Sequence, residues 1–255
     1  MRLLRFFYLA VAVALASPAV VAAETLVQLN VDSRVIAFLK VPPAALQKWM
    51  PAGMEVDAPS KGPAQDANLF LLFIDRPSSL DPEGKPFGGG PNRAVALVVP
   101  IKGTPGKSTL AVIRIYSSNP LAVPGPYKNS LPGSVRRQVA LDGNAMEPES
   151  GEETWTLHPA SGGELSLHVK FQRAFPARSK AEQFVHSAAE PAFYRIYRVD
   201  QLVDFARSAV PGSADRLRAY HLRVSIPALA SLFDGSERLV ALATFPVYVR
   251  QVFLP

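Results

Sequence analysis

A proline-rich segment between two apolar strand patterns carries the residues whose types could do chemistry. It contains the cluster Tyr127, Lys128 and Asn129, and the basic pair Arg136 and Arg137 follows it. A lysine amine becomes nucleophilic when burial or neighbouring cations lower its pKa, and it then forms imines with carbonyl compounds. Lys128 is therefore the candidate catalytic residue. The alternative is a solvent-exposed lysine on a turn, which is the commoner environment of this side chain.

Arginine side chains form a second group with a defined chemistry, because the planar guanidinium binds a carboxylate through two parallel hydrogen bonds. Arg136 follows the lysine in the same segment, and Arg93 precedes an apolar strand pattern. Together with Tyr127 and Asn129 they are the candidate ligand-binding residues, and a small organic acid is the ligand that they suit. The alternative is that these arginines are solvated or form ion pairs between neighbouring strands.

Composition and missing motifs exclude several chemistries. The 255 residues include no cysteine, so disulfides and cysteine-ligated metal sites are excluded. The spacings of metalloproteases, serine hydrolases and phosphate-binding loops are absent. The four histidines are not spaced as a metal-binding pair on a helix: His158, His168, His186 and His221. The sequence therefore predicts neither a metal site nor a cofactor.

Residues Met1 to Ala23 have the charged, apolar and small-residue regions of a secretory signal peptide. The apolar run after Arg5 is shorter than the roughly 20 residues of a membrane-spanning helix. Cleavage after Ala23 predicts a periplasmic or secreted protein without stable membrane insertion, and retention as an anchor is the alternative. Removing Arg2 and Arg5 lowers the net charge from +6 to +4, which does not indicate a nucleic-acid partner.

Short apolar and alternating runs dominate the rest of the chain. Glu164 to Phe171 alternates polar and apolar residues, and Leu239 to Phe253 is rich in β-branched and aromatic ones. Such runs, separated by Gly and Pro turns, predict a mainly β protein built as a sandwich or a barrel. Short helices are predicted at Pro42 to Met50, Asp200 to Ala209 and Pro227 to Phe233. No shift in composition divides the chain, so residues 24–255 are expected to form one domain.

The order of these elements resembles the acetoacetate decarboxylase-like superfamily over roughly residues 35–140. Val41 to Leu46, followed by Met50-Pro51-Ala52-Gly53-Met54, is similar to its opening of a proline, a short helix and a leucine-proline-x-glycine-leucine turn. Ala94 to Pro100 resembles the family's strand that ends in proline, and Thr109 to Tyr116 resembles the strand before its active-site loop. The resemblance implies a mostly antiparallel β-barrel or cone with a few short helices.

The resemblance also implies a decarboxylase or lyase chemistry, from which this sequence departs. Family members that act on β-keto acids carry a Gly-x-Pro-Lys-Lys motif, whose lysine forms a Schiff base with the substrate. Here the loop is Gly125-Pro126-Tyr127-Lys128-Asn129, without Pro-Lys-Lys and without the family's glutamate. Asn92 and Arg93 stand near the position where an acidic residue is expected.

Two functional hypotheses follow. The first is an exported acetoacetate decarboxylase-like protein that binds a small organic keto acid, or another small apolar ligand, in an apolar pocket. If it is an enzyme, Lys128 forms the imine. The second is a non-enzymatic periplasmic interaction or envelope-maintenance protein, with contact loops at Pro77 to Pro91 and Gly143 to Glu153. The sequence leaves self-association open in both.

Overall fold

The computed structural model describes residues 24–103, 108–123, 127–144 and 149–255. The predicted signal peptide, Met1 to Ala23, lies outside these ranges. Within them, no helix has both the length and the apolar character that crossing a bilayer requires.

Strands make up most of the described chain, so the predicted mainly β class is confirmed. The eleven strands that the described ranges contain, β1 to β11, are in order Thr25–Lys40, Leu69–Leu80, Asn92–Pro100, Ser108–Ser117, Ser130–Asp142, Ser150–Pro159, Leu165–Gln172, Ala177–Ser187, Tyr194–Arg207, Leu217–Val224 and Arg238–Leu254.

Helices are short in this fold. The only α-helix in the described ranges, α1, spans Pro43–Gln47, and Pro43 occupies its first turn, where a missing N–H breaks no helical hydrogen bond. Three-residue 3-10 helices lie at Phe87–Gly89, Pro120–Ala122 and Pro227–Leu229. A helix was predicted at Pro227 to Phe233, and only the 3-10 helix Pro227–Leu229 forms in this segment.

The helix predicted at Asp200 to Ala209 is wrong, because most of this segment belongs to strand β9. Hydrogen bonds from β8 on one side and β11 on the other hold β9 extended. Pairing on both edges outweighs the weak local preference for helix, as tertiary context commonly does.

The strands form one mixed sheet whose hydrogen-bonded order is β10-β7-β6-β5-β4-β3-β2-β1-β11-β9-β8. Strand β4 is the branch point of this sheet. Its first half pairs in parallel with β8, and its last three residues pair in parallel with β5. The β4–β8 pairing closes a circuit that runs through β4, β3, β2, β1, β11, β9 and β8. The sheet was predicted to be mostly antiparallel, and it is mixed: β4 pairs in parallel with β5 and with β8, and the other pairings of the described strands are antiparallel.

Two apolar clusters lie on opposite faces of the circuit strands. On β3, the alternate residues Val95, Leu97 and Val99 pack in a cluster that includes Trp155 and Leu167 of the branch strands β6 and β7. The intervening residues Ala94, Ala96 and Val98 face the other cluster, which includes residues of β8, β9 and β11. Burial on both faces explains why β3 is a continuous apolar run in the sequence.

Candidate functional site

Strand β1 turns a polar face toward the inside of the circuit. Gln28, Asn30, Asp32 and Arg34 alternate along the strand, and each is at most 4% exposed. Val31, which lies between them, is 43% exposed. The usual arrangement of polar side chains outside and apolar side chains inside is therefore reversed over this half of β1.

Asp32 is the anionic centre of this face. Its Oδ1 accepts a hydrogen bond of 2.7 Å from Nε of Arg76, and its Oδ2 accepts one of 3.1 Å from Nε of Arg34. Burial alone would raise the pKa of Asp32, but the charges of Arg76, Arg34 and Arg250 outweigh it and hold the pKa well below its usual value. Asp32 therefore stays ionised and fixes the positions of two arginines.

Arg250, unlike Arg34 and Arg76, forms no ion pair with Asp32. It lies on β11 opposite Asn30 and is 4% exposed, and its Nε and Nη2 atoms make no hydrogen bond within the described chain. The centre of its guanidinium group lies 4.3 Å from the ring centroid of Tyr197, which stabilises the cation in part. A buried charge without a hydrogen-bonded counter-charge is costly, so this position has the properties of an anion-binding site.

Tyrosine hydroxyls complete the polar wall. The hydroxyl oxygens of Tyr127 and Tyr197 lie 2.6 Å apart, and Tyr127 is fully buried. Burial, with the neighbouring Tyr197, raises the pKa of Tyr127 well above its usual value, so its hydroxyl stays protonated. The guanidinium carbon of Arg34 lies 3.4 Å from the ring centroid of Tyr248. This wall presents hydrogen-bond donors rather than carboxylate acceptors.

These side chains line a cavity of about 70 Å³ inside the circuit. Arg34, Arg76 and Arg250 form its basic wall, together with the three tyrosines. The opposite surface is apolar and includes Ile74, Ala94, Ala96, Val98, Val112 and Val185. The small side chains of Ala94 and Ala96 leave space opposite the basic wall. An apolar cavity with a few converging polar groups is the usual form of a small-molecule site.

Hydrogen bonds connect the loop around Gly88 with the loop around Asn119 and Ala122 near Arg76. Nη1 of Arg76 donates a hydrogen bond of 3.2 Å to the carbonyl oxygen of Ala122. Asn119 donates through Nδ2 to the carbonyl oxygen of Gly88, and Gly88 has a φ of 63° and no room for a Cβ beside Leu121. Glycine at position 88 thus permits a close approach between the two backbones.

The structure separates the three predicted residues of the Tyr127-Lys128-Asn129 cluster. Tyr127 and Asn129 are buried, whereas the Lys128 side chain is 62% exposed and forms an ion pair with Glu190. Tyr127 lines the cavity, and Asn129 donates through Nδ2 to the carbonyl oxygen of Val112. Lys128 lies outside the cavity lining, so its catalytic role stays a prediction that this position does not favour.

The other two predicted ligand-binding residues are also away from the cavity. Arg136 is exposed, and Arg93 donates through Nε to Asp75 at 3.0 Å. The neighbouring Arg137 donates to both Asp75 and Glu153. Arg93 and Arg137 thus have the ion-pair role that the sequence offered as the alternative.

The residues that line the basic wall, Arg34, Arg76 and Arg250, were missed by sequence reasoning. Each lies within or beside a run of apolar residues, where a charge is expected to face solvent. The available signal was the period-two spacing of Gln28, Asn30, Asp32 and Arg34 in β1. That pattern assigns these residues to one face but does not say which face is buried.

The fold is similar to that of acetoacetate decarboxylase-like enzymes, as the resemblance implied. No family model and no curated protein matches the sequence. Solved structures do match. An acetoacetate decarboxylase-like enzyme from Sphingomonas wittichii RW1 superposes with a TM-score of 0.60 at 15% identity, over 96% of this chain and 100% of that one.

Two further structures share the fold. The enduracididine biosynthesis enzyme MppR, complexed with the condensation product of pyruvate and imidazole 4-carboxaldehyde, matches with a TM-score of 0.56 at 11% identity. A structure described as acetoacetate decarboxylase matches with a TM-score of 0.51, also at 11% identity. Each match covers 89% of this chain and 87% of the other. At these identities the likeness establishes the fold.

Proposed function

We propose that this chain is an exported binding protein for a small organic acid, which it holds by non-covalent contacts in the cavity inside the strand circuit. Arg250, a buried cation whose Nε and Nη2 lack partners within the described chain, is the observation that carries this proposal. A ligand carboxylate would supply the missing acceptors. Charge-assisted hydrogen bonds of this kind are roughly twice as strong as neutral ones.

The other lining groups support a ligand with an oxygen acceptor beside its carboxylate. Tyr127 and Tyr197 share two hydroxyl protons, and only one is used in the bond between them. The other acceptor near Tyr127 is the carbonyl oxygen of Val185 at 3.5 Å, which is a weak contact. A keto oxygen would therefore find a donor here. In the related fold of MppR, the bound compound is a condensation product of pyruvate, itself a keto acid.

Covalent imine chemistry is not part of this proposal. The cavity lining in the described chain includes no lysine, and the amine of Lys128 is engaged outside it by Glu190. Export through the predicted signal peptide and the closed, barrel-like form of the sheet belong to the proposal. The β4–β8 pairing that closes the strand circuit supports the barrel-like form.

Calorimetric titration of the purified protein with acetoacetate and with pyruvate tests the proposal. We expect saturable binding that Arg250→Gln weakens by about 10-fold to 100-fold, which corresponds to the loss of one charged hydrogen bond. The matched control is Arg178→Gln, which removes an exposed arginine paired with Asp200 and should leave affinity unchanged. Equal loss in both variants, or no binding to the wild-type protein, would contradict the proposal.

Borohydride reduction in the presence of either keto acid, read by intact mass, tests the covalent alternative. We expect no adduct under conditions in which calorimetry shows the ligand bound. A mass increase that maps to Lys128 would establish the imine mechanism instead.

A further inference from the structure

The three arginines of the cavity wall carry more positive charge than the carboxylate of Asp32 neutralises. Arg34, Arg76 and Arg250 are each at most 4% exposed, and Asp32 is the carboxylate that interacts electrostatically with all three. The cavity lining itself, within the described ranges, includes no Asp or Glu. Three guanidinium groups and one carboxylate leave a surplus of two positive charges in a low-dielectric site.

Nearby charged groups do not remove this surplus. Arg195 interacts electrostatically with Tyr127 and Tyr197, but it is a further cation and does not line the cavity, so it does not offset the surplus. Tyr127 contributes no negative charge, since burial raises its pKa well above the usual value and keeps its hydroxyl protonated. A buried surplus of this size is unfavourable in the empty protein and is relieved by a ligand of matching charge.

The two surplus charges belong to two different groups of the wall. Arg34 and Arg76 are tied to each other through Asp32, which leaves one net charge on that group. Arg250 lies on the neighbouring strand β11, opposite Asn30, and its Nε and Nη2 make no hydrogen bond within the described chain. Its charge is the second one.

The volume of the cavity limits the ligand. At about 70 Å³ it is too small for a sugar phosphate or a nucleotide, which restricts the ligand to short-chain acids. A second cation, such as the ammonium group of an amino acid, would add to the positive surplus.

We propose that the ligand is a short dicarboxylate, with one carboxylate on Arg250 and the other on the group formed by Arg34, Arg76 and Asp32. This inference rests on the proposed function and specifies the ligand class. Two separated charges favour two carboxylates over a single inorganic dianion, in which both charges sit on one centre. The planar guanidinium groups also match carboxylates in geometry.

Competitive calorimetry with matched ligands tests the charge requirement. The probes are malonate and succinate, each beside its half-amide, which has the same shape and one charge fewer, and inorganic phosphate. We expect the wild-type protein to bind each diacid at least about tenfold more tightly than its half-amide. In Arg250→Gln we expect this preference to vanish, because one of the two carboxylate sites no longer carries a charge. Arg178→Gln should retain it.

The outcomes separate this inference from the proposed function. Equal affinity of the wild-type protein for diacid and half-amide, with both weakened by Arg250→Gln, would refute the dicarboxylate and keep the organic acid. Phosphate binding as tightly as the best diacid would overturn the two-point arrangement. Absence of binding by every carboxylic acid, with a folded protein shown by circular dichroism, would refute the proposed function itself.

Discussion

Replacing Asp32 by asparagine tests whether the basic wall is held together by one buried carboxylate. The change keeps the shape of the side chain and removes its charge. Asp32 is 2% exposed and accepts hydrogen bonds from Arg34 and Arg76. In Asp32→Asn the two arginines, together with Arg250, would remain buried without an anion.

The expected loss of stability follows from these contacts. At an effective dielectric constant of about 20, each of the two charge pairs is worth about 4 kcal/mol at a separation of roughly 4 Å. The variant avoids the several kcal/mol that dehydrating the carboxylate costs. The net loss should therefore be about 3–5 kcal/mol, which is the range seen when one partner of a buried pair is removed.

The stability lost in Asp32→Asn should depend on pH in a defined direction. Since the folded-state pKa of Asp32 lies well below its usual value, its stabilising contribution is complete above the ordinary aspartate pKa of about 3.9. It is lost as the pH falls below that value toward the folded-state pKa. The difference in unfolding free energy between the wild type and Asp32→Asn should thus be largest near neutral pH and should shrink in acid.

Urea denaturation measures this difference, because urea, unlike guanidinium, is uncharged and does not screen the ion pairs. The matched control is Asp200→Asn, which removes an exposed aspartate from its pairs with Arg178 and Lys180 and should have a far smaller effect. A loss below about 1 kcal/mol, or a difference that does not shrink between roughly pH 5 and pH 3, would refute the reasoning.

Four further predictions concern the same cavity and its surroundings. Arg250→Met should raise the unfolding free energy of the ligand-free protein by about 1–3 kcal/mol in urea, because it removes a buried cation with unsatisfied donors. Ala96→Leu should preserve the circular dichroism spectrum and weaken acid binding more than tenfold by calorimetry, because leucine fills the cavity. Lys128→Met should leave acid affinity and urea stability nearly unchanged, since its pair with Glu190 is exposed; a large loss of affinity would restore the lysine to the site. Tyr127→Phe should cost about 1 kcal/mol of stability and weaken pyruvate more than propionate, because a donor near the keto oxygen is lost.

Patterns along the chain were sufficient for the class of fold and for parts of its connectivity. The apolar runs at β3 and β4 and the proline at the start of α1 are local signals with one structural interpretation. Strand β9 is the opposite case, since Asp200 to Ala209 has no decisive local preference. Pairing with β8, which precedes it directly, and with β11, which is distant in sequence, determines its conformation.

The cavity was harder to predict because its walls invert the ordinary relation between polarity and burial. In a strand with alternating character, the apolar face is expected to be buried, yet β1 buries Asp32 and Arg34 and exposes Val31. Such an inversion is unfavourable unless the buried charges meet one another or a ligand. Asp32 forms ion pairs with Arg34 and Arg76, and Arg250 has no carboxylate partner in the described chain. The excess of buried positive charge is therefore both the reason why the sequence pattern does not predict the cavity and the feature that indicates an anionic ligand.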